Sequence, residues 1–112
     1  MTKYEKHQIF DLLLGQMQEI KFTHKMLSKT EGENNEYLPI AFERISTLRM
    51  IGIDFFVLGF IEKEDAQTLL DEYVSFFEKV KEIGNFTDEK YIKFIEGIID
   101  DNRRTLEGKD SD

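Results

Sequence analysis

Apolar residues recur every three or four positions along the first part of the chain, which is the spacing of one face of an α-helix. The stripe runs from Ile9 to Leu27. Ahead of it, Thr2 and Glu5 have the spacing of a capping box, in which each side chain hydrogen-bonds an amide of the opening turn. The pattern predicts a first helix over about residues 3–28.

Three further segments carry the same periodicity, and polar or glycine-containing stretches separate them. Pro39 suits the first turn of a helix, because the amide hydrogen that it lacks has no partner there. Residues 50–61 are apolar on nearly all sides and therefore need cover on several faces. Thr87 precedes two acidic residues and predicts the N-cap of the last helix. The predicted helices cover about residues 39–60, 63–83 and 88–104, and residues 108–112 are expected to form a frayed acidic tail.

Short connections between consecutive helices favour antiparallel packing, so we expect one all-α domain over residues 1–107, folded as a four-helix up-and-down bundle. A three-helix core with an appended C-terminal helix is the alternative. Gly52 and Gly59 stand seven residues apart on one face of the second helix. Glycine inside a helix costs about 1 kcal/mol relative to alanine, so we expect both to mark a close approach of another helix.

The charge of the chain excludes several functions. Its 112 residues include 15 basic and 23 acidic side chains and carry a net charge of −8, which opposes binding to nucleic acid or to an anionic membrane. No apolar run approaches the roughly 20 residues of a membrane span, and no secretory segment opens the sequence, so a cytoplasmic protein is expected. Without cysteine, disulfides and thiolate chemistry are excluded.

Residues that could carry chemistry are few. Neither His7 nor His24 stands in a metal-binding pattern, and His24 lies on the apolar seam of the first helix, where a packed boundary histidine is the simpler interpretation. Asp54, among apolar neighbours, is expected on a narrow polar face. There is no phosphate-binding glycine loop and no nucleophile elbow. We therefore expect no catalytic, metal or cofactor-binding residues and no enzyme activity.

The aromatic content favours an interaction function. Ten Phe and four Tyr exceed what a slim bundle needs, and aromatic side chains outside a core are frequent anchors of protein interfaces. A broad core that uses Phe where another bundle uses Leu would explain the same count. We expect a non-catalytic regulatory or adaptor protein that binds a protein partner and forms a homodimer through its helix faces. The candidate interface residues are Ile53, Phe56, Val57, Phe60, Phe76 and Phe94.

An acidic inhibitor that imitates nucleic acid, of the kind encoded by phages and mobile elements, is the alternative. Residues 1–29 carry five Lys and three acidic side chains, or +2, which leaves −10 for residues 30–112. The candidate acidic face consists of Asp71, Glu72 and Glu78. Every predicted helix also carries Lys or Arg among its acidic residues, so a continuous acidic surface is not expected and this interpretation is weakened. An immunity or antitoxin-like binder is a further alternative, although no feature selects it.

Overall fold

The computed structural model describes residues 1–31, 36–83 and 88–108, and this part of the chain is helical, without strands. The all-α prediction is confirmed. The helices are α1 (Lys3–Glu31), α2 (Tyr37–Val57), α3 (Lys63–Ile83) and α4 (Glu89–Glu107).

Local sequence fixes where two of the helices begin. The Thr2 amide donates to Glu5 Oε1 at 2.9 Å and the Glu5 amide donates to Thr2 Oγ1 at 3.1 Å, which confirms the capping box. The bond from the Thr2 amide to the Glu5 carboxylate, with a smaller contribution from the Thr2 side chain, holds the pKa of Glu5 below its ordinary value. The predicted N-cap of α4 was wrong: the cap is Asp88, whose carboxylate accepts from the Lys90 amide at 2.9 Å, and Thr87 lies outside the described residues.

The other helix boundaries lie within a few residues of the predicted ones. α1 continues three residues beyond the predicted end, α2 begins two residues earlier and ends three residues earlier, and α4 also ends three residues later than predicted. Pro39 is the third residue of α2, still inside the first turn, where its missing amide hydrogen leaves no helical bond unmade. The predicted bounds of α3 agree with the structure.

The packing of the four helices confirms the bundle and places α4 at its edge. α1, α2 and α3 each contact the other two, whereas α4 packs against α3 and α2 and, within the described residues, makes no contact with α1. The molecule is accordingly flat, with extents of 44 × 29 × 14 Å. No described helix therefore covers the outer face of α1.

Aromatic side chains fill the centre of the core. The Phe42 ring stacks on Tyr73 with ring centroids 5.4 Å apart and lies 5.8 Å from Phe77, which joins α2 to α3. Several of the Phe residues are thus core filling, as the broad-core interpretation requires. The largest fully buried side chains are Tyr73, Phe42, Phe77, Met17, Leu38, Ile45, Leu69, Leu70 and Val80.

The two glycines of the second predicted helix have different roles. A Cβ on Gly52 would lie 2.7 Å from Leu69 Cδ1 of α3, so the predicted close approach is confirmed there. For Gly59 the prediction was wrong, because this residue follows the end of α2 with φ +85° and would have no atom within 4 Å of a Cβ. Glycine is required at position 59 by the left-handed backbone conformation and not by the close approach of another helix.

Candidate functional site

The end of α2 is built as a Schellman motif, the common glycine-containing helix stop. The Phe60 amide donates to the Phe55 carbonyl at 2.7 Å, and the Gly59 amide donates to the Phe56 carbonyl at 3.0 Å. The Phe55 and Phe60 rings meet edge to face with centroids 5.7 Å apart, which is the hydrophobic contact that accompanies this motif. Gly59 with its left-handed backbone makes the turn without strain, so the segment has one fixed geometry.

This turn presents three large apolar side chains to solvent: Val57, Leu58 and Phe60, which we call the α2 cap. Their exposed fractions are 65%, 63% and 41%. The next residue, Ile61, is buried and anchors the chain to the core before α3 begins. Clustered apolar surface of this kind, held in a fixed geometry, is typical of an interaction site.

A second apolar surface lies between α2 and α4. Met50 and Phe94 are exposed and line a shallow groove of about 260 Å³. The Tyr91 hydroxyl donates to a Glu43 carboxylate oxygen at 2.8 Å and fixes α4 to α2 on one side of this groove. Burial raises the pKa of Tyr91 to about 12, and the hydrogen bond to the Glu43 carboxylate and its charge act in the same direction.

Arg49 is a buried cation that the sequence analysis missed. It donates from Nη1 to Asn102 Oδ1 of α4 at 2.7 Å, and its guanidinium carbon lies 5.0 Å from the centroid of the Tyr73 ring of α3. Burial lowers the pKa of Arg49, whereas Tyr73 and the exposed Asp54 act against that shift. The signal was present in the sequence, because Arg49 stands four residues after Ile45 and four before Ile53, on the apolar face of α2.

The six candidate interface residues differ in how far they are exposed to solvent. Val57, Phe60 and Phe94 are exposed, and Phe56 is partly buried. Ile53 and Phe76 belong to the core, with exposed fractions of 6% and 4%, so the expectation that Phe76 lies off the core was wrong. The Phe76 ring instead packs edge to face on the buried ring of His24, at a centroid distance of 6.0 Å. Neither Ile53 nor Phe76 offers surface to a partner.

The three candidate acidic residues are all engaged within the chain. Glu72 pairs with Lys21 of α1 and also accepts from Gln18 Nε2 at 3.1 Å, so it fastens α3 to α1. Glu78 lies 3.1 Å from Lys81 Nζ, and Asp71 accepts from Gln67 Nε2 at 2.9 Å. These carboxylates do not form a continuous unpaired stripe.

The two histidines lie in different surroundings. His24 Nε2 lies 3.2 Å from Ser28 Oγ, which is hydrogen-bond distance, and both side chains are buried. His7 is exposed between Asp11 and Asp65. Among the described residues no three His, Asp or Glu side chains converge as metal ligands would. Across those same ranges, no helix has the length and apolar content needed to cross a membrane.

Comparison with protein-family models, with curated proteins and with solved structures gives no match to this chain.

Proposed function

We propose that this protein is a small non-catalytic adaptor that binds another protein through the α2 cap. The observation that carries the proposal is the exposure of Val57, Leu58 and Phe60 at a turn in which the amides of residues 58–60 all donate to carbonyls of α2. When a partner covers large apolar side chains, the free energy of the complex falls by about 25 cal/mol for each Å² of apolar surface removed from water. A rigid presentation keeps the entropy cost of binding low.

The surroundings of the α2 cap favour a protein partner with an apolar surface. The nearest charges along the chain are acidic, Asp54 before the cap and Glu62 after it, and Glu62 pairs with Lys6 of α1 at 3.7 Å. The cap thus has no excess of positive charge beside it to attract a nucleic acid or an anionic lipid surface. An apolar centre with a charged rim is the usual organisation of a protein interface.

The test compares a cap variant with a matched control in affinity capture from nuclease-treated lysate of the native host. In the cap variant, Val57→Lys and Leu58→Lys place two cations at the C-terminus of α2, where they complement the helix dipole and leave the fold intact. The control is Ile40→Lys, an exposed residue at the other end of the same helix. We expect the wild type and the control to retain a partner at about 1 M salt, where exposed charge pairs are screened, and the cap variant to lose it.

Capture of the same partner by the cap variant would contradict the proposal. The acidic inhibitor is the alternative outcome: its partner would be released by high salt and by the combined substitutions Asp71→Asn, Glu72→Gln and Glu78→Gln. The internal pairing of these carboxylates weighs against that outcome, since a mimic of nucleic acid needs them turned toward its target.

A further inference from the structure

A groove between α1 and α3 collects basic side chains. Its volume is about 560 Å³, and Lys21 and Lys25 of α1 and Lys79 of α3 line it. Among the described residues no carboxylate belongs to its lining, although the chain as a whole carries a net charge of −8. The groove therefore has the opposite sign of charge to the molecule. Its other lining residues are Gln18, Phe22, His24, Ser75 and Phe76.

Elsewhere along the contact of α1 with α3, cations of α1 pair with carboxylates. Lys6 Nζ lies 3.7 Å from Glu62 Oε1, just before α3 begins. Lys21 pairs with Glu72 of α3, and Gln18 Nε2 donates to the same carboxylate at 3.1 Å. The charge of Lys21 is thus compensated by the protein itself at the edge of the groove.

Beyond these pairs the alternation of charge ends, because α1 and α3 both contribute a cation, Lys25 and Lys79. Within the described residues no carboxylate pairs with either ammonium group. The acidic neighbours of Lys79 along α3 are Glu78 and Glu82. Glu78 pairs instead with Lys81 and lines a groove beside α4. Two positive charges that the protein does not pair therefore line one groove.

The helix dipoles do not account for these two cations. A cation stabilises the C-terminal end of a helix, but the effect falls off within the last turn. The last turns hold Lys29 in α1 and Lys81 in α3, whereas Lys25 and Lys79 precede them. Like charges that share a groove repel each other, and a bound anion converts that repulsion into attraction.

The same groove offers an aromatic ring to a ligand. Phe22 lines the groove with 64% of its surface exposed, although a core was open to it on the other face of α1. Beneath it the groove is closed by the buried His24 and Phe76, whose rings meet edge to face at a centroid distance of 6.0 Å. A planar ring can stack on an exposed Phe. The exposed Ser75 adds a hydroxyl that can donate to an anion.

We propose that this groove binds a phosphate monoester that carries an aromatic ring. Such a group carries about −1.5 to −2 charges near pH 7, which matches the two ammonium groups of Lys25 and Lys79 better than a single carboxylate does. Those two lysines hold the phosphoryl oxygens, and Phe22 stacks on the ring of the ligand. The volume lies within the range of small-molecule sites, which is roughly 300–1,000 Å³. This inference goes beyond the proposed function, and it uses no residue of the α2 cap.

The first experiment is isothermal titration calorimetry of the full chain with phenyl phosphate at low ionic strength, where charge pairing is least screened. We expect one saturable site with a Kd below about 1 mM. The double variant Lys25→Gln with Lys79→Gln should bind at least about tenfold more weakly, because it removes both charged donors. The matched control is Lys90→Gln with Lys93→Gln, which makes the same change of net charge at two exposed positions of α4 and should bind as the wild type does.

All four lysines are exposed, so both double variants should keep the fold, which circular dichroism would verify. Absence of saturable binding by the wild type, or equal affinity of the Lys25/Lys79 variant and the wild type, would overturn the inference. Equal weakening in the two double variants would also overturn it, since net charge rather than the groove would then control binding.

The second experiment separates the ring from the phosphoryl group by comparing phenyl phosphate with inorganic phosphate and with benzoate. We expect both simpler anions to bind more weakly than phenyl phosphate. Phe22→Ala should reduce the affinity for phenyl phosphate to that for inorganic phosphate, without changing the latter. Phe94→Ala is the control, because its ring is almost equally exposed, at 62%, on α4. An unchanged affinity of Phe22→Ala for phenyl phosphate, or tighter binding of benzoate, would overturn the assignment of the ligand class.

Discussion

At the scale of single residues, Arg49 links three helices. It extends from α2, donates to Asn102 of α4 and lies over the Tyr73 ring of α3. Burial of a cation costs free energy, as its lowered pKa shows, and the hydrogen bond and the aromatic face offset part of that cost. Its long apolar stem also fills space in the core.

Two substitutions of Arg49 should therefore distinguish how much its apolar stem and how much its charge contribute to the free energy of unfolding. Arg49→Ala removes stem and charge together, and we expect the free energy of unfolding to fall by about 2–4 kcal/mol. Arg49→Met keeps the stem without the desolvated charge and should cost less. Urea unfolding followed by circular dichroism would measure both, with the exposed Arg44→Ala as a control expected to change stability by no more than about 0.5 kcal/mol. Equal losses for the two Arg49 variants would contradict the packing argument.

At the scale of elements, the stop of α2 depends on the backbone of Gly59. Its φ of +85° is strained for any residue with a Cβ, so Gly59→Ala should lower the free energy of unfolding by about 1–2 kcal/mol. Gly97→Ala is the matched control, because Gly97 is helical and without close neighbours, and this substitution should raise stability by about 1 kcal/mol. Chemical denaturation measures both. A gain of stability in Gly59→Ala would show that the turn adopts another conformation.

The contact between α2 and α4 should make stability depend on alkaline pH. The pKa of Tyr91 is raised from its ordinary 10.0 to about 12. The folded chain thus holds this proton to a higher pH than the unfolded chain, so the contribution of Tyr91 to stability is complete below pH 10.0 and is lost as the pH rises through about 12.

The absorbance of tyrosinate at about 295 nm follows this titration. It would be measured as a function of pH for the wild type and for Tyr91→Phe. We expect the variant to lose the one tyrosine whose pKa is about 12, while Tyr73, whose pKa burial also raises, is retained in both proteins. Glu43→Gln removes the carboxylate that accepts the hydroxyl proton and should lower the pKa of Tyr91, while burial, the largest cause, keeps it above the ordinary value. Identical alkaline titrations of wild type and Tyr91→Phe would contradict the assignment.

Sequence periodicity was sufficient to identify the four helices, because burial of one face imposes the same spacing wherever a helix packs. It was less informative about helix ends. The spacing of Gly59 from Gly52 predicts a packing glycine inside the helix, whereas its backbone angle shows that it belongs to the stop of α2. Periodicity also failed for Phe76, whose burial depends on which helices meet at that position rather than on its own segment. For Arg49 the periodicity was correct, since it places the residue on the apolar face of α2, but its charge argued against burial. The α2 cap was predicted in part, through Val57 and Phe60.

At the scale of the whole molecule, the described part of α4 packs on α2 and α3 alone, which has two consequences. It leaves the outer face of α1 uncovered by the described residues, and it centres the core on α2 and α3, which both α1 and α4 contact. Phe77 of α3 packs in this core: its ring is 5.8 Å from that of Phe42 of α2, and it lines a surface groove together with Ile99 of α4. Lys81 covers the ring, with Nζ 4.7 Å from its centroid.

Removal of the Phe77 ring should accordingly weaken the entire fold rather than one helix. We expect Phe77→Ala to lower the free energy of unfolding by about 3–5 kcal/mol, because the cavity would lie in a core that three helices share. A chain of this size should still unfold in a single transition, with helical and aromatic signals lost together. Phe94→Ala removes an equally large but exposed ring and should change stability by no more than about 0.5 kcal/mol. Calorimetry and circular dichroism would test both variants, and a melting temperature of Phe77→Ala equal to that of the wild type would be incompatible with its place in the core.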